Sequence, residues 1–132
     1  MKFNSISFYN DSKSTNINST IKALESFNRN IILILGGLNK GSDFSELKSK
    51  LTNVKNIYCY GEAGQTIQET LKNDISVSFI SDFSECVRAA INSAAQNENV
   101  LLSPACASFD QFNSFEERGK LFGKIVMEIA NV

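Results

Sequence analysis

An unbroken apolar run, NIILILGG at residues 30–37, is the feature that most constrains the fold of this chain. A strand that alternates apolar and polar residues keeps one face in water, whereas a continuous apolar strand is buried on both faces. Burial on both faces is typical of a parallel sheet with helices on each side. The run therefore predicts a buried strand within an α/β domain.

Strand-like and helix-like segments alternate along the whole chain. Further strands are predicted at residues 6–10, 56–61, 77–80 and 100–103. Helices are predicted from apolar spacing and capping residues at 17–27, 43–51, 63–71, 82–94 and 114–129. The predicted N-caps include Asp43, Asp82 and Ser114. Five strands alternating with five helices predict a parallel sheet covered on both faces, with right-handed crossovers.

The composition narrows the possible classes of function. The chain has 132 residues, which suits one domain, and its 13 basic and 14 acidic residues give a formal net charge of −1. We therefore expect no nucleic-acid partner, which would need a basic face. No apolar run approaches the roughly 18 residues of a membrane span, and no signal-peptide core is present. Three cysteines, an odd number, indicate a reducing compartment, so we expect a cytoplasmic protein.

The chain contains no histidine. This absence excludes Ser-His-Asp and Cys-His catalytic sets within these residues. Three cysteines without CxxC spacing are also a poor set of zinc ligands. We therefore predict neither a complete catalytic set nor a metal site in this chain.

A glycine-rich segment, GGLNKGSD at residues 36–43, follows the buried strand. In parallel α/β sheets, ligands bind beyond the carboxyl ends of the strands, so this turn is a candidate binding segment. It is not a P-loop, because Lys40 precedes Gly41, and its glycine spacing does not fit GxGxxG. Two interpretations stay open: a tight turn with a solvated lysine, or a turn from which Lys40 reaches a bound carboxylate or phosphate.

Polar residues also follow the first strand, as DSKSTN at residues 11–16. Serine, threonine and asparagine at this position are often only helix caps. If the segment stays extended, however, Asp11, Lys13 and Thr15 share one side. Helix capping does not require an acid, a base and a hydroxyl together at the carboxyl end of a strand. The cluster therefore also suits a binding site.

The last strand leads into SPACASFDQF at residues 103–112. Neither Cys106 nor Ser108 is expected to be a nucleophile, because the chain has no histidine to act as a general base. Cys106 is interpreted as a small buried residue. Ser108 is predicted either to cap a short turn or to bind a carboxylate. Phe109 and Phe115 are either core residues or ligand contacts.

Four segments together resemble a known family. They are YNDSKSTN at 9–16, LILGGLNKGSDFSEL at 33–47, YCYGEAGQTI at 58–67 and LLSPACASFDQFNSFEERGKLF at 101–122. They follow the order found in the C-terminal domain of the Mur ligases, and DSKSTN and SPACASFDQF are the distinctive motifs. The resemblance implies a three-layer, Rossmann-like fold with a mostly parallel sheet.

The resemblance is strongest to the branch of the family that adds D-glutamate to UDP-N-acetylmuramoyl-L-alanine. It implies that the substrate carboxylate attacks the γ-phosphate of ATP, with Mg²⁺ present, and that the amine of D-glutamate then attacks the acyl phosphate. The positions that match the D-glutamate site are Thr15, Lys40, Ser108, Phe109 and Phe115. Lys40 would neutralise one carboxylate beside Thr15, and Ser108 would hold the other with the backbone around the two phenylalanines.

Asp11 and Lys13 match positions that face the nucleotide, Asp11 on the ribose side and Lys13 near the phosphates. The resemblance implies that a central domain holds most of the ATP and Mg²⁺, and that an N-terminal domain holds the UDP-sugar. Neither a Walker A sequence nor a UDP-sugar domain occurs in this chain. We therefore interpret residues 1–132 as one C-terminal domain cut from a larger ligase, monomeric and inactive by itself.

Two other interpretations of the sequence differ from this one. The chain could be a stand-alone Rossmann-like module that binds a nucleotide or regulates another protein. It could also come from a sister ligase that adds L-lysine or diaminopimelate, but the SPACASFDQF motif argues against that branch.

Overall fold

The computed structural model of the chain describes residues 2–130 and contains one sheet with helices on both faces. Its strands are β1 (Lys2–Phe3), β2 (Ile6–Asn10), β3 (Ile31–Gly36), β4 (Val54–Tyr60), β5 (Val77–Phe79) and β6 (Asn99–Ala105). Its helices are α1 (Ile17–Glu25), α2 (Gly64–Leu71), α3 (Phe83–Ser93) and α4 (Phe115–Ala130), with a 3₁₀ helix at Phe44–Lys50. No helix within residues 2–130 is long and apolar enough to cross a bilayer.

The order of the strands in the sheet is β1-β2-β6-β3-β4-β5. All neighbours pair in parallel except β1 and β2, which are antiparallel. The last strand, β6, therefore lies between β2 and β3. Because parallel strands end at the same edge, the loops that follow β2, β3 and β6 meet there. The α/β class and the mostly parallel sheet are confirmed.

The central strand β3 is buried along its whole length, as the apolar run predicts. Its side chains alternate between the two faces of the sheet. Leu33 and Leu35 belong to a core shared with α1, the 3₁₀ helix and α2, whereas Ile32 and Ile34 pack into a second core with α3 and α4. Two cores on opposite faces make this strand the centre of the domain.

A sixth strand, β1, was not predicted from the sequence. It pairs with β2 through Lys2 opposite Ser7 and Phe3 opposite Ile6. The two connecting residues, Asn4 and Ser5, have φ values of 51° and 63°. Positive φ at both central residues is typical of a tight type I′ hairpin turn. A strand of two residues carries no periodicity, so the apolar pattern could not reveal it.

The segment predicted as a short helix at residues 43–51 is a 3₁₀ helix rather than an α-helix. Asp43 is its N-cap, as predicted, but its side chain accepts a hydrogen bond from the backbone of Ser45 instead of residue N3. The buried side chains Phe44 and Leu47 are three residues apart. This spacing places them on one face of a helix with three residues per turn.

The last strand continues past the predicted end at Ser103 and includes Pro104 and Ala105. The pairing of β6 with β3 shifts register between Ile34 and Gly36, so β6 has an extra residue there. Proline lacks a backbone N–H and is tolerated in a sheet at such an irregularity. The strand can therefore pass through Pro104 and carry the chain to the ligand-binding edge.

Arg118, in the first turns of α4, is completely buried. Its Nε donates to Ser12 Oγ at 2.9 Å, one terminal nitrogen donates to the Cys106 carbonyl at 2.9 Å, and the other donates to the Ser12 carbonyl. Ser12 Oγ in turn donates to the Phe115 carbonyl at 2.7 Å. This guanidinium joins the loop after β2, the loop after β6 and the start of α4.

Gly36 ends β3 with φ = 144°, a conformation that is essentially restricted to glycine. A Cβ atom at this position would lie 2.3 Å from the backbone oxygen of Tyr60. We expect Gly36→Ala to lower the free energy of unfolding by about 3 kcal/mol, because strain and overpacking act together. Urea denaturation measures the change in the free energy of unfolding. The control Gly123→Ala, which meets nothing within 4 Å in α4, should instead gain about 0.5–1 kcal/mol.

We expect Arg118→Met to lower the free energy of unfolding by about 3 kcal/mol or more. The substitution leaves the carbonyl oxygens of Ser12 and Cys106 buried without their donors, and each such loss costs about 1–3 kcal/mol. Arg118→Lys should lose less, because an ammonium keeps the charge but cannot span both loops. A urea midpoint for the methionine variant equal to that of the wild type would contradict this role.

Candidate functional site

The loops that follow β2, β3 and β6 form a cavity of 260 Å³ at the carboxyl edge of the sheet. Its lining residues are Thr15, Lys40, Ala107, Ser108, Phe109 and Phe115. The structure thus brings together, around one cavity, all five residues assigned to D-glutamate by resemblance. Ala107 was not predicted, and its short apolar side chain gave no signal of a ligand contact.

Two of the loops around this cavity are hydrogen-bonded to each other. The Leu38 N–H donates to the Ala107 carbonyl at 2.8 Å, and the Ala107 N–H donates to the Leu38 carbonyl at 3.1 Å. This antiparallel bridge connects the glycine-rich turn to the loop after β6. It sets Lys40, two residues beyond Leu38, beside Ser108, which directly follows Ala107.

Lys40 is exposed and lies against the exposed ring of Phe109. The Lys40 Nζ is 5.5 Å from the centroid of this ring, which is within the range of a cation–π interaction. No ion pair between Lys40 and a carboxylate occurs within residues 2–130. The ammonium is therefore available to an anion in the cavity. Both interpretations of this turn stay open, because an exposed lysine without an ion pair fits a solvated side chain as well as one that faces a ligand.

Ser108 is buried, with 2% of its surface exposed. Its backbone carbonyl accepts hydrogen bonds from the N–H groups of Gln111 and Phe112, at 3.2 and 2.9 Å. The backbone of Ser108 thus closes the short turn that was expected to need a cap, and its hydroxyl is not used for capping. Ser108 is one of the residues that line the cavity.

Thr15 lies directly before the N-cap of α1. The cap is Asn16, whose side chain accepts from the Ser19 N–H at 2.9 Å. Thr15 is exposed, does not cap the helix and is one of the residues that line the cavity.

Residues 11–16 do not stay extended, so the condition under which Asp11, Lys13 and Thr15 would share one side is not met. The Ser14 N–H donates to the Asp11 carbonyl at 2.9 Å, which closes a turn over these residues. Asp11 Oδ2 accepts hydrogen bonds from the hydroxyls of Ser103, at 2.9 Å, and Ser14. Asp11 therefore holds the loop onto β6 with one oxygen and points away from the cavity that Thr15 lines.

Asp11 and Lys13 instead line a second, larger groove of 680 Å³. Tyr9, Lys22 and Phe27 form other parts of its wall. The rings of Tyr9 and Phe27 pack edge to face, with centroids 4.7 Å apart. Because of this turn, Thr15 lines the 260 Å³ cavity, whereas Asp11 and Lys13 line the 680 Å³ groove.

Cys106 is buried beside the site and is not a nucleophile. Burial raises the pKa of its thiol to about 12, although the nearby Arg118 guanidinium partly opposes this rise. The reactive thiolate is therefore scarce at neutral pH. Cys59 and Cys86 are also buried and free, and burial raises the pKa of each. The interpretation of the cysteines as core residues is confirmed.

The sequence did not indicate a role for Arg118. Its hydrogen bonds join the loops after β2 and β6, although it is not one of the residues that line the cavity. Within residues 2–130 its charge has no carboxylate partner, and its hydrogen bonds go to neutral oxygens of Ser12 and Cys106. An arginine near the start of an amphipathic helix is ordinarily solvated, so the sequence carried no sign of its burial. No group of three His, Cys, Asp or Glu side chains in the described part of the chain is arranged to hold a metal ion.

Comparison with known proteins gives consistent matches. The Mur ligase, glutamate ligase domain family matches residues 1–106. A UDP-N-acetylmuramoylalanine–D-glutamate ligase from Alkaliphilus oremlandii is 45% identical over 127 residues, covering 94% of this chain and 28% of that ligase. The enzyme of the same name from Chlamydia caviae is 46% identical over 122 residues, covering 92% and 29%. The chain thus spans less than a third of these relatives.

Solved structures share the fold at lower sequence identity. A domain of a UDP-N-acetylmuramate:L-alanyl-γ-D-glutamyl-meso-diaminopimelate ligase from Haemophilus ducreyi superimposes with a TM-score of 0.61 at 18% identity, covering 95% of each chain. UDP-N-acetylmuramate–alanine ligase from Thermotoga maritima has a TM-score of 0.56 at 13% identity, covering 84% of this chain and 24% of its own. With its motifs, its fold and its matched residues, the chain belongs to the Mur ligase family, in which it corresponds to the glutamate ligase domain.

Proposed function

We propose that this chain is the C-terminal domain of an ATP-dependent ligase that adds D-glutamate to UDP-N-acetylmuramoyl-L-alanine in peptidoglycan precursor synthesis. The observation that carries the proposal is the 260 Å³ cavity, which is lined by a lysine without an ion pair and by two hydroxyl-bearing residues, Thr15 and Ser108. Ligand pockets for drug-sized molecules are about 300–1,000 Å³, so this cavity suits a smaller molecule such as an amino acid.

The chemistry of the cavity suits a dicarboxylate. Lys40 supplies a positive charge at one side, with the Thr15 hydroxyl as a second donor nearby. Ser108 supplies a hydroxyl on the opposite loop, together with the backbone around Phe109 and Phe115. Two carboxylates held at separate places leave the α-amine of D-glutamate as the part that is free to react. The domain would therefore orient the amine by binding both acidic groups.

The reaction that we propose has two steps. The carboxylate of UDP-N-acetylmuramoyl-L-alanine attacks the γ-phosphorus of ATP, and ADP leaves as the acyl phosphate forms. The amine of D-glutamate then attacks the acyl carbon, phosphate leaves with the C–O bond electrons, and the nitrogen loses a proton to give the amide. The contribution of this domain is to hold the amine close to the acyl carbon in the correct orientation, which lowers the entropic cost of the second step.

The neighbouring 680 Å³ groove is proposed to face the nucleotide when the domains close. Lys13 is exposed there and suits the phosphates, while Asp11 has its second carboxylate oxygen available on the ribose side. Mg²⁺ supplies charge neutralisation at the phosphates, and we assign it mainly to the central domain. Residues 1–132 are then a single domain of a monomeric, cytoplasmic enzyme, and the UDP-sugar and ATP sites lie on other domains of the same protein.

Lys40→Ala in the full-length ligase should raise the KM for D-glutamate about 10- to 100-fold. The estimate follows from the loss of one charge-assisted hydrogen bond, worth about 1.5–3 kcal/mol. The KM values for ATP and the UDP-sugar should change little. The control is Lys72→Ala, which removes an exposed lysine paired with Glu69 on α2 and should leave D-glutamate kinetics unchanged. An unaltered D-glutamate KM in Lys40→Ala would overturn the assignment.

Isothermal titration of this chain by itself separates the proposal from the stand-alone module. We expect weak or undetectable binding of ATP, NAD and D-glutamate, and no ligase activity, because the other domains complete each site. Micromolar binding of a nucleotide to the isolated chain would favour a self-contained nucleotide-binding or regulatory module and contradict the proposal.

A further inference from the structure

The turn that follows β4 connects the two loops that face each other across the 260 Å³ cavity. One of these loops carries Lys40, and the other carries Ser108 and Phe109. The turn itself, with Gly61 and Glu62, does not line the cavity. It nevertheless makes a hydrogen bond to each loop.

The first connection runs from Glu62 to the loop of Lys40. The Glu62 carboxylate accepts a hydrogen bond from the Asn39 N–H at 3.1 Å. The Asn39 side chain in turn accepts from the Ser42 N–H at 2.8 Å. The backbone is therefore held on both sides of Lys40, by contacts that do not involve its ammonium.

The second connection runs from the same turn to the loop of Ser108. The Glu62 N–H donates to Asp110 Oδ2 at 3.0 Å. This approach depends on Gly61, because a Cβ atom there would lie 2.3 Å from Asp110 Oδ2. Gln111, the next residue, anchors the loop again, accepting from the Phe83 N–H at 3.1 Å and donating to the Ser81 carbonyl at 2.8 Å.

Glu62 and Asp110 are themselves unsuited to bind a dicarboxylate, because both carry negative charge. They line a separate cavity on the outer side, with Asp82 and Gln111. The Glu62 carboxylate instead accepts from the Asn39 N–H, and the Asp110 carboxylate accepts from the N–H groups of Glu62 and Gln111. Both carboxylates also act electrostatically on the loop after β6, at Cys106. An effect through the positions of Lys40 and Ser108 is therefore separated from an effect of charge by neutral variants that keep the oxygen acceptor.

We propose that Glu62 and Asp110 are positioning residues that set the distance between the two anion-binding loops, and thereby match the cavity to the length of glutamate. This inference rests on the proposed function. The hydrogen bonds from Asn39 through Glu62 to Asp110 link the two loops indirectly. They add to the direct link between the loops that the Leu38–Ala107 bridge makes. Loss of the Glu62 or Asp110 hydrogen bond leaves the Leu38–Ala107 bridge intact but lets the distance between the two loops vary.

The test uses the full-length ligase with Glu62→Ala and Asp110→Ala. Steady-state kinetics give kcat and the KM values for D-glutamate, ATP and the UDP-sugar, and D-aspartate is assayed as a shorter dicarboxylate. We expect the D-glutamate KM to rise about 3- to 10-fold, the range for one lost hydrogen bond. The preference for D-glutamate over D-aspartate should fall by a similar factor, while kcat and the other KM values stay within twofold.

Conservative variants separate positioning from charge and from general stability. Glu62→Gln and Asp110→Asn keep an oxygen acceptor and should recover most of the wild-type D-glutamate KM. The matched control is Asp82→Ala, which removes a carboxylate from the same outer cavity and the N-cap of α3. Its melting temperature should fall while its D-glutamate KM stays unchanged.

Three results would overturn the inference. The first is a D-glutamate KM in both alanine variants within 1.5-fold of the wild type, and the second is conservative variants as impaired as the alanine variants. The third is a fall in every kinetic parameter in step with the melting temperature. Should Asp110→Ala fail to fold, Glu62→Ala alone decides between these outcomes. Lys40→Ala is measured in parallel. If this variant does not raise the D-glutamate KM, the proposed function fails. If Lys40→Ala raises the KM but the Glu62 and Asp110 variants do not, only the positioning role is overturned.

Discussion

The insertion of β6 between β2 and β3 is the constraint on which the rest of the structure depends. Both neighbours pair with it in parallel, so their carboxyl ends and the loops beyond them are forced to one edge. The three loops come from distant parts of the chain, after residues 10, 36 and 105. No local sequence preference could bring them together, whereas the hydrogen-bonded centre of the sheet does so directly. The proposed D-glutamate cavity is a consequence of this strand order.

The buried Arg118 guanidinium also holds the loops at the carboxyl edge of the sheet in place. Arg118 is completely buried and gives its hydrogen bonds to Ser12 and Cys106, which lie in two of the three loops. A buried charge is costly unless its hydrogen bonds are satisfied, so the loops are held where the guanidinium requires them.

Particular residues show how far prediction from sequence could go. The apolar run of β3 predicted its burial on both faces, and the Asp82 and Ser114 caps are present where expected. The condition that residues 11–16 stay extended is not met, because hydrogen bonds to Asp11 close a turn that spacing alone does not reveal. The contact between Glu62 and Asp110 could not be predicted either, since it joins residues 48 positions apart.

The sequence by itself determined the α/β class and the burial of the central strand, because burial pattern is a property of short segments that periodicity reveals. Only the resemblance of its motifs to a known family implied which residues would bind D-glutamate. Tertiary structure decided which of those residues share a cavity, placing Thr15 with Lys40 but Asp11 in a separate groove. It also decided that Arg118 is buried. Both outcomes depend on contacts between residues far apart in the chain, which only the packed sheet and its loops define.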